Sequence, residues 1–198
     1  MQLTPEILLL AYSRGIFPMA AEGGEINWHD PDPRAILPLN DSFHISRTLA
    51  RTVRQGRFEI RIDTAFRRLM EECAKPRPDQ LRTWISVELI DAYTELHEMG
   101  FAHSVEVWRG GQLVGGLYGV AIGGLFAGES MFSREREASK VALVHLTERL
   151  RAGGFVLHDI QFVTPHLARF GAQTISRNEY KRRLARALRI NAAFADDD

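Results

Sequence analysis

The sequence predicts an α+β fold, on three observations. The second half reads strand, strand, strand, helix, strand, helix, so antiparallel strands come first and a helix then crosses over. Ala138, Val141, Ala142, Leu146 and Leu150 follow helical spacing between the last two strands. The chain has 198 residues and 45% apolar composition, enough for one large domain or two small ones.

The first helix is well punctuated. Thr4 caps it, Pro5 fits its first turn and Gly15 stops it, with Ile7, Leu8, Ala11 and Tyr12 as its apolar face. Residues 16–42 read as a long loop, with glycines at 23 and 24 and prolines at 18, 31, 33 and 38. Trp28 within it argues against disorder, and ordered loops of that length are commonly functional. Ser46 caps a short helix that runs to Arg54. Residues 58–62 alternate as a strand, and Asp63 caps a helix reaching Cys73. Lys75-Pro76-Arg77-Pro78-Asp79 interrupts the pattern, as a boundary or as an ordered active-site loop. Ser86 opens a helix that ends at Gly100.

Strands dominate the second half of the chain. Residues 104–108 lead into Arg109-Gly110-Gly111-Gln112, a two-glycine hairpin signal, and residues 112–120 return. A further strand spans residues 121–131, and residues 133–152 form a helix stopped by Gly153-Gly154. Residues 155–163 form the last long strand, and Ser176-x-x-Glu179 is a capping box opening the final helix. Asp196-Asp197-Asp198 reads as a frayed acidic tail.

Composition narrows the function classes. Lys plus Arg and Asp plus Glu are both 25, so net charge alone predicts no polyanionic partner and any basic surface must be local. The single cysteine, Cys73, excludes an internal disulfide and a multi-cysteine metal site. The seven histidines lack metal-ligand spacing, so no metal is expected. The N-terminus lacks the basic start of a signal peptide and no run of 18 apolar residues occurs, so a cytoplasmic protein without a membrane span is expected.

Two segments carry candidate chemistry. Gly123-Gly124-Leu125-Phe126-Ala127-Gly128-Glu129-Ser130-Met131-Phe132 reads as a strand with three glycines and one carboxylate. Glycine weakens a strand unless something approaches its backbone closely. A carboxylate among Phe126, Met131 and Phe132 must find a partner or a raised pKa. Glu129 is then either a structural ion pair with an arginine such as Arg134 or an anionic floor for a cationic substrate group. In the second segment Asp159 and Gln161 share one face of a regular strand, with His158 and Ile160 on the other. They form either a buried pair satisfied by backbone or a pair that orients an attacking amine. Large aromatics are usually core, but Trp28 and Trp84 stand at loop or helix-start positions, which favours lining a pocket or stacking on a base more than a mid-element position would. Arg47, Arg51 and Arg54 share one helical face, and Arg182, Arg186 and Arg189 another. Each face is either solvated or a contact for a phosphate backbone.

These residues resemble the leucyl/phenylalanyl-tRNA–protein transferases over nearly the whole chain. The resemblance runs through Ala11-Tyr12-Ser13-Arg14-Gly15-Ile16-Phe17-Pro18-Met19, Trp28-His29-Asp30-Pro31-Asp32-Pro33-Arg34, Phe43-His44-Ile45-Ser46-Arg47-Thr48-Leu49 and Thr83-Trp84-Ile85. It is strongest at His103-Ser104-Val105-Glu106-Val107-Trp108 and Gly128-Glu129-Ser130-Met131-Phe132-Ser133, followed by Ala138-Ser139-Lys140 and Asp159-Ile160-Gln161. It implies a small N-terminal domain, taken as residues 1–62, and a catalytic domain like the acyl-CoA N-acetyltransferases (GNAT-like) over 63–198. It implies transfer of Leu, Phe or Met from aminoacyl-tRNA to the α-amino group of proteins beginning with Arg or Lys, marking them for N-end rule degradation. No cofactor is implied, and a monomer is expected.

The resemblance also implies roles. Asp159 would polarise Gln161, which would draw a proton from the amine or, because an amide oxygen is a feeble base, orient it while ribose or water relays the proton. Glu129 would bind the cationic acceptor or help place the terminal adenosine. Phe126, Leu117 and Leu146 would form the apolar aminoacyl pocket, with Met131 at its border. Trp28 and Trp84 would hold the adenosine, and Arg47, Arg51, Arg182 and Arg186 would meet the acceptor stem. One block departs from the family pattern: Thr164-Pro165-His166-Leu167-Ala168-Arg169-Phe170-Gly171 stands where many members read Asn-x-His-x-x-Ser-Leu-Gly. Two rival readings are an acyl-CoA N-acyltransferase and an RNA-binding module. The first lacks a glycine cradle, since Ser133-Arg134-Glu135-Arg136-Glu137 carries two carboxylates and no glycine.

Overall fold

The computed structural model describes residues 3–76 and 83–194. Most of the interrupted segment at 75–79 and the whole acidic tail lie outside the described residues.

The α+β expectation is met by a seven-stranded mixed sheet with helices on both faces. The N-terminal helix α1 (Pro5–Ser13) leads into a small antiparallel pair, β1 (Phe17–Ala20) and β2 (Ile26–His29). Then come β3 (Arg34–Leu37), α2 (Arg47–Arg54), β4 (Glu59–Ile62), α3 (Phe66–Cys73) and α4 (Val87–Glu98). The long strands β5 (Ala102–Arg109), β6 (Gln112–Ile122) and β7 (Leu125–Ser133) form an antiparallel meander. Helix α5 (Ala138–Ala152) crosses to β8 (Leu157–Gln161), which pairs parallel with β7. A one-turn helix α6 (Pro165–Ala168), β9 (Gln173–Ile175) and α7 (Arg177–Ala187) complete the order. The sheet order is β4-β5-β6-β7-β8-β3-β9.

The strand period of two sends alternate residues of β6 to opposite faces. Leu117 packs with Val141, Ala142 and Leu146 of α5, while Tyr118 and Val120 pack with Leu8 of α1, Leu69 of α3 and Tyr93 of α4. Helix α7 covers the far end through Tyr180, Leu184 and Ala187 against Ile36, Leu125 and Leu157. Thr4, Ser46, Ser86 and Ser176 each accept a backbone N–H as N-caps, which satisfies helix donors that have no partner within the helix.

Four local expectations need correction. Residues 16–42 are not one loop, because β1 and β2 pair with each other and β3 inserts between β8 and β9. Its register, short as it is, is fixed by two neighbours and by buried Ala35, Ile36 and Leu37. Strands β3 and β4 both belong to the large sheet. Gly123 and Gly124 form the β6–β7 turn, where Gly123 has φ +55 and a Cβ would lie 2.8 Å from the Ala187 carbonyl. The close approach there is the end of α7, not a ligand. Asp63 does not cap α3. Its carboxylate accepts the Ser104 backbone N–H at 2.7 Å and contacts His103 Nδ1 at 2.6 Å. Helix α5 starts at Ala138 rather than 133, because β7 pairing continues to Ser133 opposite Gly115.

Candidate active site

The pairing of β7 with β8 runs from Leu125↔Leu157 to Ala127↔Asp159 and stops. Beyond that point residues of both strands line a cavity of about 540 Å³. That size suits a small-molecule moiety held in a cleft. Leu117, Leu143, Leu146, Ile160 and Leu167 give it an apolar wall. Ser130, Ser133, Ser139, Thr164 and His166 add polar groups. Trp84 and the half-exposed Phe162 also line it.

Glu129 reaches this cavity by a backbone irregularity. Tyr118 pairs with Ser130 and Gly119 with Gly128, so Glu129 is the extra residue of a bulge. Bulges re-aim a side chain at the cost of one ladder position. The bulge needs Gly119, where a Cβ would lie 2.3 Å from the Ala127 carbonyl oxygen and 2.5 Å from the Phe126 ring. No arginine pairs with Glu129 among the described residues, and Arg134 binds Glu72 at 2.6 Å. Instead Tyr93 Oη donates to Glu129 Oε2 at 3.5 Å, and Gln161 Nε2 donates to Oε1 at 3.2 Å. Tyr12 and Tyr93, from α1 and α4, share a short hydrogen bond behind the carboxyl. Burial pushes the Glu129 carboxyl up to about 8, the Tyr12 hydroxyl opposes the rise and the Asp159 charge adds to it. The side chain still has a partly open face on the cavity, so water there tempers the burial.

Asp159 and Gln161 do not share a face as a regular strand requires. Gln161 has φ +57, in the left-handed region, which turns its side chain back to Glu129 beside His158 and Ile160. Asp159 points the other way and is fully buried. It binds Arg34 twice, at 2.6 and 2.9 Å, accepts from Tyr180 Oη at 2.8 Å and accepts the Gln161 backbone N–H at 3.0 Å. Its contact with Gln161 is thus through the backbone and not the amide. His158 is buried beside Gly128, and burial pushes its imidazole down to about 4, so it is neutral at pH 7.

The expected site residues separate into two groups. Glu129, Gln161, Trp84, Leu117, Met131 and Leu146 line one cavity. Phe126 does not, because it is fully buried behind the wall against Phe155, Phe194 and His158. Asp159 is also outside the cavity wall. Trp28 is 43% exposed on β2, opposite Pro18, and the hairpin is tied to the Trp84 segment by Ala20 N–H donating to the Trp84 carbonyl. Arg47 and Arg51 are exposed on α2, and Arg182 and Arg186 on α7. Arg182 is held by Glu179 at 2.7 Å. Among the described residues no three His, Cys, Asp or Glu side chains converge as metal ligands.

Sequence reasoning missed Arg34, Tyr12, Tyr93 and Tyr180. One signal was available: Tyr12 was counted only as apolar helix face, yet a buried phenol needs a partner for its hydroxyl.

A carboxyl and an amide at one end of an apolar compartment suit transfer of an acyl group to an amine. The comparisons place the chain among the aminoacyltransferases. Residues 36–185 match the family model described as leucyl/phenylalanyl-tRNA protein transferase, and residues 1–32 match that family's N-terminal domain. A leucyl/phenylalanyl-tRNA–protein transferase from Herpetosiphon aurantiacus is 58% identical over 98% of this chain and 98% of its own. One from Paramagnetospirillum magneticum is 55% identical over 97% of this chain and 92% of its own. A solved structure, a GCN5-related N-acetyltransferase-like protein from Streptococcus suis, matches with TM-score 0.38 and 13% identity, over 86% of this chain and 64% of that one. The chain belongs to the leucyl/phenylalanyl-tRNA–protein transferase family.

Proposed function

We propose that this protein moves Leu, Phe or Met from aminoacyl-tRNA to the α-amino group of proteins beginning with Arg or Lys. The observation that carries this reading is the Glu129–Gln161 pair at the end of an apolar cavity. Leu117, Leu143, Leu146 and Met131 suit an unbranched or γ-branched apolar side chain. Trp84 offers a stacking face for the terminal adenosine, with Trp28 on the neighbouring hairpin. The exposed arginines of α2 and α7 supply local positive charge for the acceptor stem, and a cytoplasmic monomer fits this role.

The chemistry is aminolysis of an ester. An α-ammonium group ordinarily titrates at ~7.7–8.0, close to the raised value of Glu129, so a proton passes between them at little cost. In its ionised form, the minority species at neutral pH, Glu129 takes the ammonium proton and leaves a neutral amine. Gln161, whose Nε2 is engaged with Glu129, keeps its amide oxygen to accept from the amine N–H and fix its approach. The amine nitrogen bonds to the ester carbonyl carbon and the carbon–ribose oxygen bond breaks. The second amine proton goes to the leaving ribose oxygen, and Glu129 later returns its proton to water. Asp159 has no contact with the reacting groups in this scheme.

Incubation with leucyl-tRNA and a peptide beginning with Arg tests the reading. Leucine is expected on the peptide α-nitrogen. A peptide left unmodified while the tRNA stays charged overturns it.

A further inference from the structure

The left-handed backbone at Gln161 has to be held in place. Few non-glycine residues adopt φ near +57, and such conformations persist where surrounding contacts over-determine them. Here one contact does so directly: the Gln161 N–H donates to Asp159 Oδ1. Asp159 is in turn clamped. Arg34 Nε and Nη2 bind its two oxygens, and Tyr180 Oη binds Oδ2. Arg34 is itself immobilised, fully buried, with its guanidinium 4.7 Å from the Phe17 ring centre and 4.4 Å from that of Tyr180. Its Nη1 donates to the Gly15 carbonyl at 2.9 Å, which ties the turn after α1 to β3.

We propose that Arg34 is a positioning residue: through Asp159 it locks the backbone turn at Gln161 and thereby aims the Gln161 amide at Glu129 and the incoming amine. Asp159 then acts as a hydrogen-bond acceptor in a fixed place and not as a charge relayed to the amide. This rests on the transferase reading for its activity consequences, but the lock itself is a property of the unliganded chain.

The two roles of Asp159 separate when the buried charges are removed together. Arg34→Met leaves the carboxylate unpaired in the interior and is expected to lower single-turnover transfer more than 100-fold. Arg34→Met with Asp159→Asn keeps an oxygen that accepts the Gln161 N–H and leaves an amide N–H for Tyr180 Oη. That pair is expected to recover at least tenfold over Arg34→Met alone. Arg34→Met with Asp159→Leu matches the volume, lacks the acceptor and should recover nothing. Exchange of the Gln161 amide hydrogen, followed by NMR without tRNA, gives a readout independent of activity. Protection is expected in the wild type and in the Asn pair and lost in the Leu pair. Equal activity and equal protection in the Asn and Leu pairs would overturn the proposal, as would an unprotected Gln161 amide in the wild type. A wild type that protects this amide and transfers nothing would overturn the proposed function and leave the lock standing.

Discussion

Glu129→Gln should make the protein more stable at high pH and nearly inactive. Gln keeps the shape and the oxygen that the Tyr93 hydroxyl binds, and it removes the titrating proton. The folded Glu129 carboxyl sits at about 8 against an ordinary 4.5, so between those values the folded state holds a proton that the unfolded state has released. Stability therefore falls as pH rises from 4.5 through 8, and the penalty is complete above 8. The whole rise corresponds to ~5 kcal/mol at ~1.4 kcal/mol per pH unit. The open side toward the cavity reduces it to ~2 kcal/mol, a discount for solvent screening. In a chain of this size ~2 kcal/mol moves Tm by ~4–8 °C. Thermal unfolding of both proteins at pH 5 and pH 9 is the assay. The Gln protein should match the wild type at pH 5 and melt higher at pH 9. Identical differences at the two pH values would refute the claim that Glu129 is held protonated by burial.

Three further outcomes rest on particular residues. Gly119→Ala places a methyl 2.3 Å from the Ala127 carbonyl oxygen, so unfolding experiments should show a loss of ~2 kcal/mol or more and a displaced bulge. Leu146→Trp should fill the apolar compartment and cut leucine transfer at least tenfold, with binding of uncharged tRNA, followed by fluorescence, unchanged. Arg182→Ala with Arg186→Ala should weaken tRNA binding and reduce its salt slope by about two, measured by titration at several ionic strengths. An unchanged slope would remove α7 from the interface.

The helices were legible because their signals are local. Caps at Thr4, Ser46, Ser86 and Ser176 and the apolar spacing of α5 depend on residues within one or two turns. Strand β3 was not legible, because its four residues owe their conformation to partners more than a hundred positions away. At the site, Glu129 was conspicuous as a carboxylate among apolar residues. Its partners were not, since Tyr12 and Tyr93 approach from helices 36 and more positions distant and look apolar in the periodic pattern. The Asp159 and Gln161 spacing misled for a definite reason: a two-residue period assumes a regular strand, and the positive φ at Gln161 ends it. Phe126 was assigned to the pocket by resemblance, whereas the register of β7 buries it one layer behind. Arg34 stood in the 28–34 block without a role of its own, because nothing near it in sequence shows that its guanidinium meets Asp159, 125 positions on.

The central claim is that the Glu129–Gln161 pair at this cavity prepares an amine for attack on an aminoacyl ester. Single-turnover transfer of leucine from leucyl-tRNA to an Arg-initiated peptide, at saturating concentrations of both, tests it most directly. The wild type should place leucine on the α-nitrogen, and both Glu129→Gln and Gln161→Ala should slow that step by ~100-fold or more, the range expected for a lost acid–base group. Wild-type rates in the two variants would contradict the account.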